Sequence, residues 1–275
     1  MTTLRFFKRD IKLGVQNGAW ILLIPIIVSA AQSLNFHKIS VMLKEFESYW
    51  GDGTIMDYYL YSMQGMRVFD FDMKQHFEIP IYWFVFQIGA AYFTAYYSHH
   101  DLTDNGKVLF IMPKSRSAWW YSKCLWCLVS VFIYYLVSII TIGCTAIFCG
   151  ASLSLKHSEL ISRIIEQGAN YLSGFDVLLV VIILPIVTTM AICMLQMFIG
   201  FFVSPEVSFA LSCTVYVLSA YYTEWFLPGN FTMWQRSSYV VLDGLNPISG
   251  LVLGCFLILF SFYEGKLYFE KKDIL

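Results

Sequence analysis

The chain has 275 residues, of which 58% are hydrophobic and 13% charged, about half the charge of an ordinary soluble domain, and its mean hydropathy is +0.62. Lipid is the expected solvent. Eighteen Lys and Arg against 19 Asp and Glu leave a net charge of -1, so no positive excess favours nucleic acid, while 24 Phe, 18 Tyr and 8 Trp exclude a disordered chain and seven Cys, an odd number, argue against a disulfide-built secreted domain.

A spanning helix needs about 20 mostly apolar residues. Taken in chain order, the stretches free of Asp, Glu, Lys and Arg that reach or approach that length are Leu13 to His37, Ile79 to His100, Cys124 to Leu155, Val177 to Pro205, Val207 to Thr223 and Gly244 to Tyr263. They predict an all-α integral membrane protein: a six-helix bundle with spans at about 14–34, 79–99, 120–149, 176–202, 206–224 and 245–264. The first stretch carries Val28-Ser29-Ala30, which resembles a secretory cleavage site, but the chain retains Met1 and the segment is read as an uncleaved first span. Spans four and five share a tight hinge at Ser204, Pro205 and Glu206. The gap from Trp225 to Gln235, with Pro228 and Gly229, is too short to cross and suits an interfacial re-entrant piece.

Lys and Arg collect at one set of helix ends. Arg5, Lys8, Arg9, Lys12, Lys107, Lys114, Arg116, Lys123, Lys266, Lys271 and Lys272 make up 11 of the 18, which predicts both termini in the cytoplasm of a multi-pass plasma-membrane protein. No internal repeat or long linker divides the chain, so residues 1–275 read as a single membrane domain with an external insert at 35–78.

Candidate chemistry is sparse. The insert holds Glu45, Glu47, Asp52, Asp57, Asp70, Asp72 and Glu78 interleaved with Tyr49, Trp50, Tyr58, Tyr59, Tyr61 and Phe69; paired carboxylates could do acid–base work, but the alternation suits an amphipathic cap on the outer leaflet. His99, His100 and Asp101 offer metal-ligand types, yet adjacent helical residues point about 100° apart and no third ligand follows. Cys124 and Cys127 form a CxxC inside an apolar stretch, where thiols pack as small apolar groups. No nucleophile elbow and no phosphate-binding GxxxxGK[ST] loop occurs, so the chain is expected not to be an enzyme, to carry no cofactor and no metal, and not to hydrolyse ATP alone. Gly250 and Gly254 make a GxxxG suited to helix packing, within the bundle or between copies. Pro25 and Pro185 fall mid-span, and Asn230-Phe231-Thr232 is a glycosylation acceptor pattern. The six apolar stretches hold no ionisable carboxylate or amine, and Gln87 and Gln196 are the notable polar side chains within the spans, joined by Ser, Thr and Tyr, which disfavours an ion-coupled carrier.

The most informative segment joins spans two and three: Asp101-Leu-Thr-Asp-Asn-Gly-Lys-Val-Leu-Phe-Ile-Met-Pro113, continuing Lys114-Ser115-Arg116. Thr103 reads as the cap of a short helix with Asp104 in its first turn, and Pro113 as its stop near Met112. Val108, Leu109, Phe110, Ile111 and Met112 make that helix too apolar for bare solvent and too short to cross. With Asp104, Asn105, Gly106, Leu109, Phe110, Pro113, Ser115, Arg116 and Lys123 matching, the chain resembles the permease subunits of type-2 ABC exporters, although that family carries an acid followed by Arg where this chain has Asp104-Asn105. Phe6 to Lys12 is similar to the family's amphipathic elbow helix, and Tyr222 to Asp243 to its re-entrant element.

The resemblance implies that Asp104, Asn105, Gly106, Lys107, Val108, Leu109, Phe110, Ile111, Met112, Pro113 and Arg116 form a coupling helix for two cytoplasmic ATPase subunits, which hold ATP and Mg. It also implies a second permease subunit, identical or related, and export of an amphipathic or hydrophobic substrate such as a peptide, lipid or drug. The rival reading is a non-transporting membrane sensor or scaffold whose acidic, aromatic insert binds an external ligand; an enzyme of the bilayer is third.

Overall fold

A computed structural model describes residues 2–46, 53–69, 77–109, 113–165 and 174–271 and, within them, all side chains except those of 2, 15–17, 46, 104–109 and 113–115. Eleven α-helices follow one another among these residues: α1 Thr2–Gly18, α2 Leu23–Phe46, α3 Ile55–Ser62, α4 Ile81–Ala95, α5 Tyr97–Leu109, α6 Pro113–Phe148, α7 Glu159–Ile165, α8 Gly174–Val177, α9 Leu184–Gly200, α10 Pro205–Tyr221 and α11 Pro247–Lys271. No β-strand occurs among the described residues. Four helical stretches, Ala19–Glu45, Arg116–Phe148, Gly174–Gly200 and Pro247–Lys271, are long and apolar enough to cross a membrane, so the molecule is an all-α multi-pass membrane protein. Helices α4 and α10 have 15 and 17 residues.

Both mid-span prolines mark breaks in regular helix. A proline ring clashes with the carbonyl four residues earlier and lacks an N–H to bond it. Ahead of Pro25 the chain runs as a 3-10 turn over Ala19–Leu22, which separates α1 from α2. Ahead of Pro185 lies a π-helical stretch, Leu178–Ile183.

Helix ends follow local rules. Ser204 caps α10 by accepting from the Val207 N–H at 3.3 Å, and Pro205 takes the first helical position, where its missing N–H is harmless. Gly150, at φ +83, ends α6 in a left-handed turn closed by bonds from Gly150 N to Ile147 O (3.0 Å) and Ala151 N to Ala146 O (3.0 Å), the Schellman arrangement.

Helices α6 and α9 form the centre. Helices α1, α2 and α3 pack on α6, and α4, α10 and α11 pack on α9. A large aromatic core at one end unites Trp119, Trp120 and Trp126 of α6 with Phe93, Phe198 and Phe269. A second core, at the opposite end, collects Phe36, Tyr58, Leu60, Ile142, Leu160, Val180 and Trp234.

The second core revises the expected surface cap. Helix α3 is apolar or aromatic around nearly its whole circumference, a pattern that calls for burial on all sides, and Asp57, Tyr58 and Leu60 are fully buried. It begins with a reciprocal capping box between Thr54 and Asp57. Asp57 also accepts from Ser158 N (2.8 Å) and Ser158 Oγ (2.7 Å), latching the insert to the segment after α6.

Close packing explains the helical glycines. A Cβ on Gly250 would lie 2.4 Å from the Phe231 ring, and one on Gly254 would lie 3.0 Å from Val187, so the GxxxG stripe packs inside this chain. At Gly265 a Cβ would fall 2.1 Å from the Trp120 ring, which is itself fully buried. Gly265→Ala is therefore expected to destabilise by about 1–3 kcal/mol through overpacking. Gly143→Ala, on a face with nothing within 4 Å, should gain up to about 1 kcal/mol from helix propensity. Thermal unfolding of the two variants in detergent checks the contrast.

Candidate functional site

Three helices meet around a buried cluster of charges. On α1, Phe7, Asp10 and Gly14 recur at a spacing of three and four residues, so they share one face, while Arg5, Lys8 and Lys12 are exposed on another. That inner face packs on α6, and it brings a carboxylate with it: Asp10 is fully buried. A buried charge needs partners, and Asp10 has four. Lys123 Nζ of α6 donates to Asp10 Oδ1 at 2.8 Å, Tyr97 OH of α5 donates to the same oxygen at 2.9 Å, Ser122 Oγ donates to Asp10 Oδ2, and Arg9 Nη2 lies 3.3 Å away.

The same lysine bridges to α5. Lys123, with no exposed surface, places Nζ 2.7 Å from Asp101 Oδ2, which also receives Arg9 Nη2 at 2.6 Å and Trp119 Nε1 at 2.9 Å. Its ammonium lies 4.4 Å from the centre of the Tyr97 ring and 5.4 Å from that of Trp119, adding cation–π attraction in a desolvated place. Two acids and two bases balance to zero. Burial works against ionised Asp101, but Lys123, the hydrogen bonds from Lys123 and Trp119, and Arg9 outweigh it and hold the carboxyl below the ordinary aspartate value. Asp101 is thus an anion at neutral pH, and the cluster is a four-charge joint binding α1, α5 and α6.

The predicted coupling residues hang directly on this joint. Asp104, Asn105, Gly106, Lys107, Val108 and Leu109 occupy the last turns of α5, eight residues or fewer beyond Asp101; Phe110, Ile111 and Met112 lie outside the described residues. One local expectation is corrected. The helix starts at Tyr97, so Thr103 is interior rather than a cap, and its hydroxyl bonds back to His100 O at 2.9 Å. The expected stop near Met112 lies outside the described residues, and Pro113 is the first described residue of α6. Arg116, half-buried, follows three residues on.

No family model, curated protein or solved structure matches this chain. Its geometry therefore has to carry any functional reading.

The other candidate sites resolve into packing. His99 stacks against Phe201 with centroids 6.3 Å apart, and among the described residues no group of three metal-ligating side chains forms. Cys124 and Cys127 are buried free thiols. In the insert, Asp57 is occupied by its cap and latch, Glu45 and Glu78 are exposed, and Glu47, Asp52, Asp70 and Asp72 lie outside the described residues. Gln87 joins Tyr135 and Thr189 in a buried hydrogen-bonded triad.

Asn230 is 1% exposed and Thr232 3% exposed. The Asn230 amide donates to Tyr222 O and Glu224 O, and Thr232 Oγ1 accepts from Trp83 Nε1. In the folded protein the acceptor pattern is part of the core, closed to a glycan.

The sequence reading placed Arg9 and Lys123 among the cytoplasmic basic residues and Asp10 within the elbow-like segment Phe6 to Lys12, and missed the joint. The available signal was Asp10, a lone carboxylate on the face shared by Phe7 and Gly14.

Proposed function

We propose that this chain is the membrane-spanning subunit of an ATP-driven exporter of the type-2 ABC kind, crossing six times with both termini in the cytoplasm. On this reading α4, lengthened by the turn into α5, and α10 supply the two crossings beyond the four longest. Two such subunits, identical or related, enclose a route for an amphipathic or hydrophobic substrate, and two separate ATPase subunits grip the end of α5 from the cytoplasm.

The observation that carries the reading is the buried joint of Arg9, Asp10, Asp101 and Lys123. A partner can drive a conformational change only through contacts that differ between its own states, and a push at residues 104–112 needs a stiff path into the bundle. The joint supports such a path, since it fixes α5 to α1 and to the start of the 36-residue α6. The sensor alternative is weakened by the insert, where Asp57, Tyr58 and Leu60 face the interior rather than a ligand.

The test is biochemical. With its ATPase co-expressed, the wild type should co-purify with that subunit and transport on ATP addition. Gly106→Pro combined with Phe110→Asp should lose both co-purification and transport while the chain still reaches the membrane. Retention of both activities in the double variant would remove the proposal.

A further inference from the structure

A pocket of about 300 Å³ opens between α1, the junction of α4 with α5, and α6, a volume at the lower end for small-molecule sites. Two glycines shape it. Gly14 and Gly18, about one turn apart on α1, carry no side chain, so the rings of Trp126 and Phe93 lie directly against that helix: a Cβ would fall 2.3 Å from Trp126 Nε1 and 2.7 Å from the Phe93 ring. Tyr92 and Tyr96, also about one turn apart, add a second wall. Trp20, 57% exposed, stands beside Tyr92 at the mouth.

The rings are turned against one another rather than stacked flat. Trp20 and Tyr92 have centroids 5.9 Å apart at 64°, Tyr92 and Tyr96 5.2 Å apart at 59°, and Phe93 and Trp126 6.1 Å apart at 56°. Rings set at such angles cannot all stack on one planar guest and instead bound a cup for a rounded one. Aromatic faces are negative, and a cup of them is how quaternary ammonium ions are held. The charges agree. No Lys or Arg is among the described lining residues. His100, the one lining side chain able to take up a positive charge, and Tyr96 both lie within electrostatic reach of the Glu206 carboxylate on α10. Lys123, 4.4 Å from the Tyr97 ring, is already answered by Asp10 and Asp101.

Position narrows the occupant further. The first long apolar stretch begins at Ala19, so Gly14, Gly18 and Trp20 set the pocket at the boundary between hydrocarbon and water. A purely apolar guest gains little there, because the lipid tails beside it are equally apolar. A primary ammonium is strongly hydrated and loses that water on entry; methyl groups lower this cost and keep the charge that the rings attract. A phosphate or carboxylate would meet the field of Glu206 with no lysine or arginine to answer it. We propose that the pocket binds an organic cation with a methylated ammonium head and no phosphate.

Ligand-observed NMR titration of the purified chain in a maltoside detergent tests this with three soluble probes: choline, its neutral isostere 3,3-dimethylbutan-1-ol, and phosphocholine, which stands for the headgroup of a lipid. The wild type should bind choline about tenfold or more tighter than the isostere, the ratio expected for a cation held by several aromatic faces, with phosphocholine weaker than choline. Trp20→Leu, at an exposed ring, should weaken choline about three- to tenfold and change the isostere by less than about twofold. Absence of choline binding, equal binding of choline and the isostere, phosphocholine binding as tight as choline, or choline affinity unchanged in Trp20→Leu would each overturn the assignment. The wild-type comparison needs no variant to fold, and no ATPase is present, so its outcome is separate from that of the transport reading.

Discussion

Lys123→Met should be among the most destabilising single substitutions in this chain, by about 3–5 kcal/mol, the range for removing one partner of a buried ion pair. Met keeps the length of the side chain and its packing between Tyr97 and Trp119. It deletes the ammonium bonded to Asp10 at 2.8 Å and to Asp101 at 2.7 Å, leaving two buried carboxylates to share Arg9, whose side chain is 30% exposed. Adding Asp10→Asn returns the cluster to one acid and one base, so the double variant should recover part of the loss. Such non-additivity is expected for residues in one network. Unfolding temperatures of the wild type, both single variants and the double variant in detergent form the cycle; additive losses would show that the four charges do not act together.

Arg236→Leu should cost a comparable amount at the other end of the molecule. The guanidinium is 1% exposed, and among the described residues it has no carboxylate as a hydrogen-bond partner. Instead Nε donates to Met66 O at 3.1 Å, Nη2 to Arg67 O at 3.2 Å and Ala220 O at 2.6 Å, and Nη1 to Ser219 O and to the Asn230 side chain. Burial pushes its pKa down to about 10, which still leaves it charged at neutral pH. Ser219 and Ala220 belong to the last turn of α10, where carbonyls lack helical partners and the dipole is negative. One arginine therefore closes α10, the segment after α3 and the loop before α11 into a single knot. Leucine would leave five acceptors without their donor, a loss of about 3 kcal/mol or more. Arg236→Lys should rescue less than half, since an ammonium cannot reproduce the planar fork. Unfolding temperature reads the first effect, and proteolysis of the 222–246 loop reads the second.

The parts of this architecture legible in the sequence are those fixed by local chemistry. Charge-free stretches located the apolar helices, because lipid tolerates few Asp, Glu, Lys or Arg. Ser204-Pro205 marked the start of α10, and Gly150 closes α6 at almost the residue where its apolar stretch was expected to end. What local chemistry could not supply was partnership across the chain. Asp10 and Lys123 are 113 residues apart, and nothing in the surroundings of either names the other. Thr103 misled for a related reason: a threonine has two local uses, cap or interior hydroxyl, and the start of α5 at Tyr97 decides between them. The insert misled because its alternating acids and aromatics suit a surface as well as a core, and contacts with α2, α6 and α7 bury α3. Among the predicted coupling residues, the sequence placed Asp104 to Leu109 on a helix correctly but gave no hint of the joint from which that helix extends.

The central claim is that the end of α5 is a handle on the cytoplasmic side, gripped by a separate motor. The most direct measurement places a photo-crosslinking amino acid at Lys107 and irradiates intact cells. The account predicts a covalent adduct with an ATPase subunit containing a phosphate-binding loop, lost when Gly106→Pro is added. A Lys107 position reached by an impermeant reagent from outside the cell, or an adduct pattern that never includes an ATPase, would contradict it.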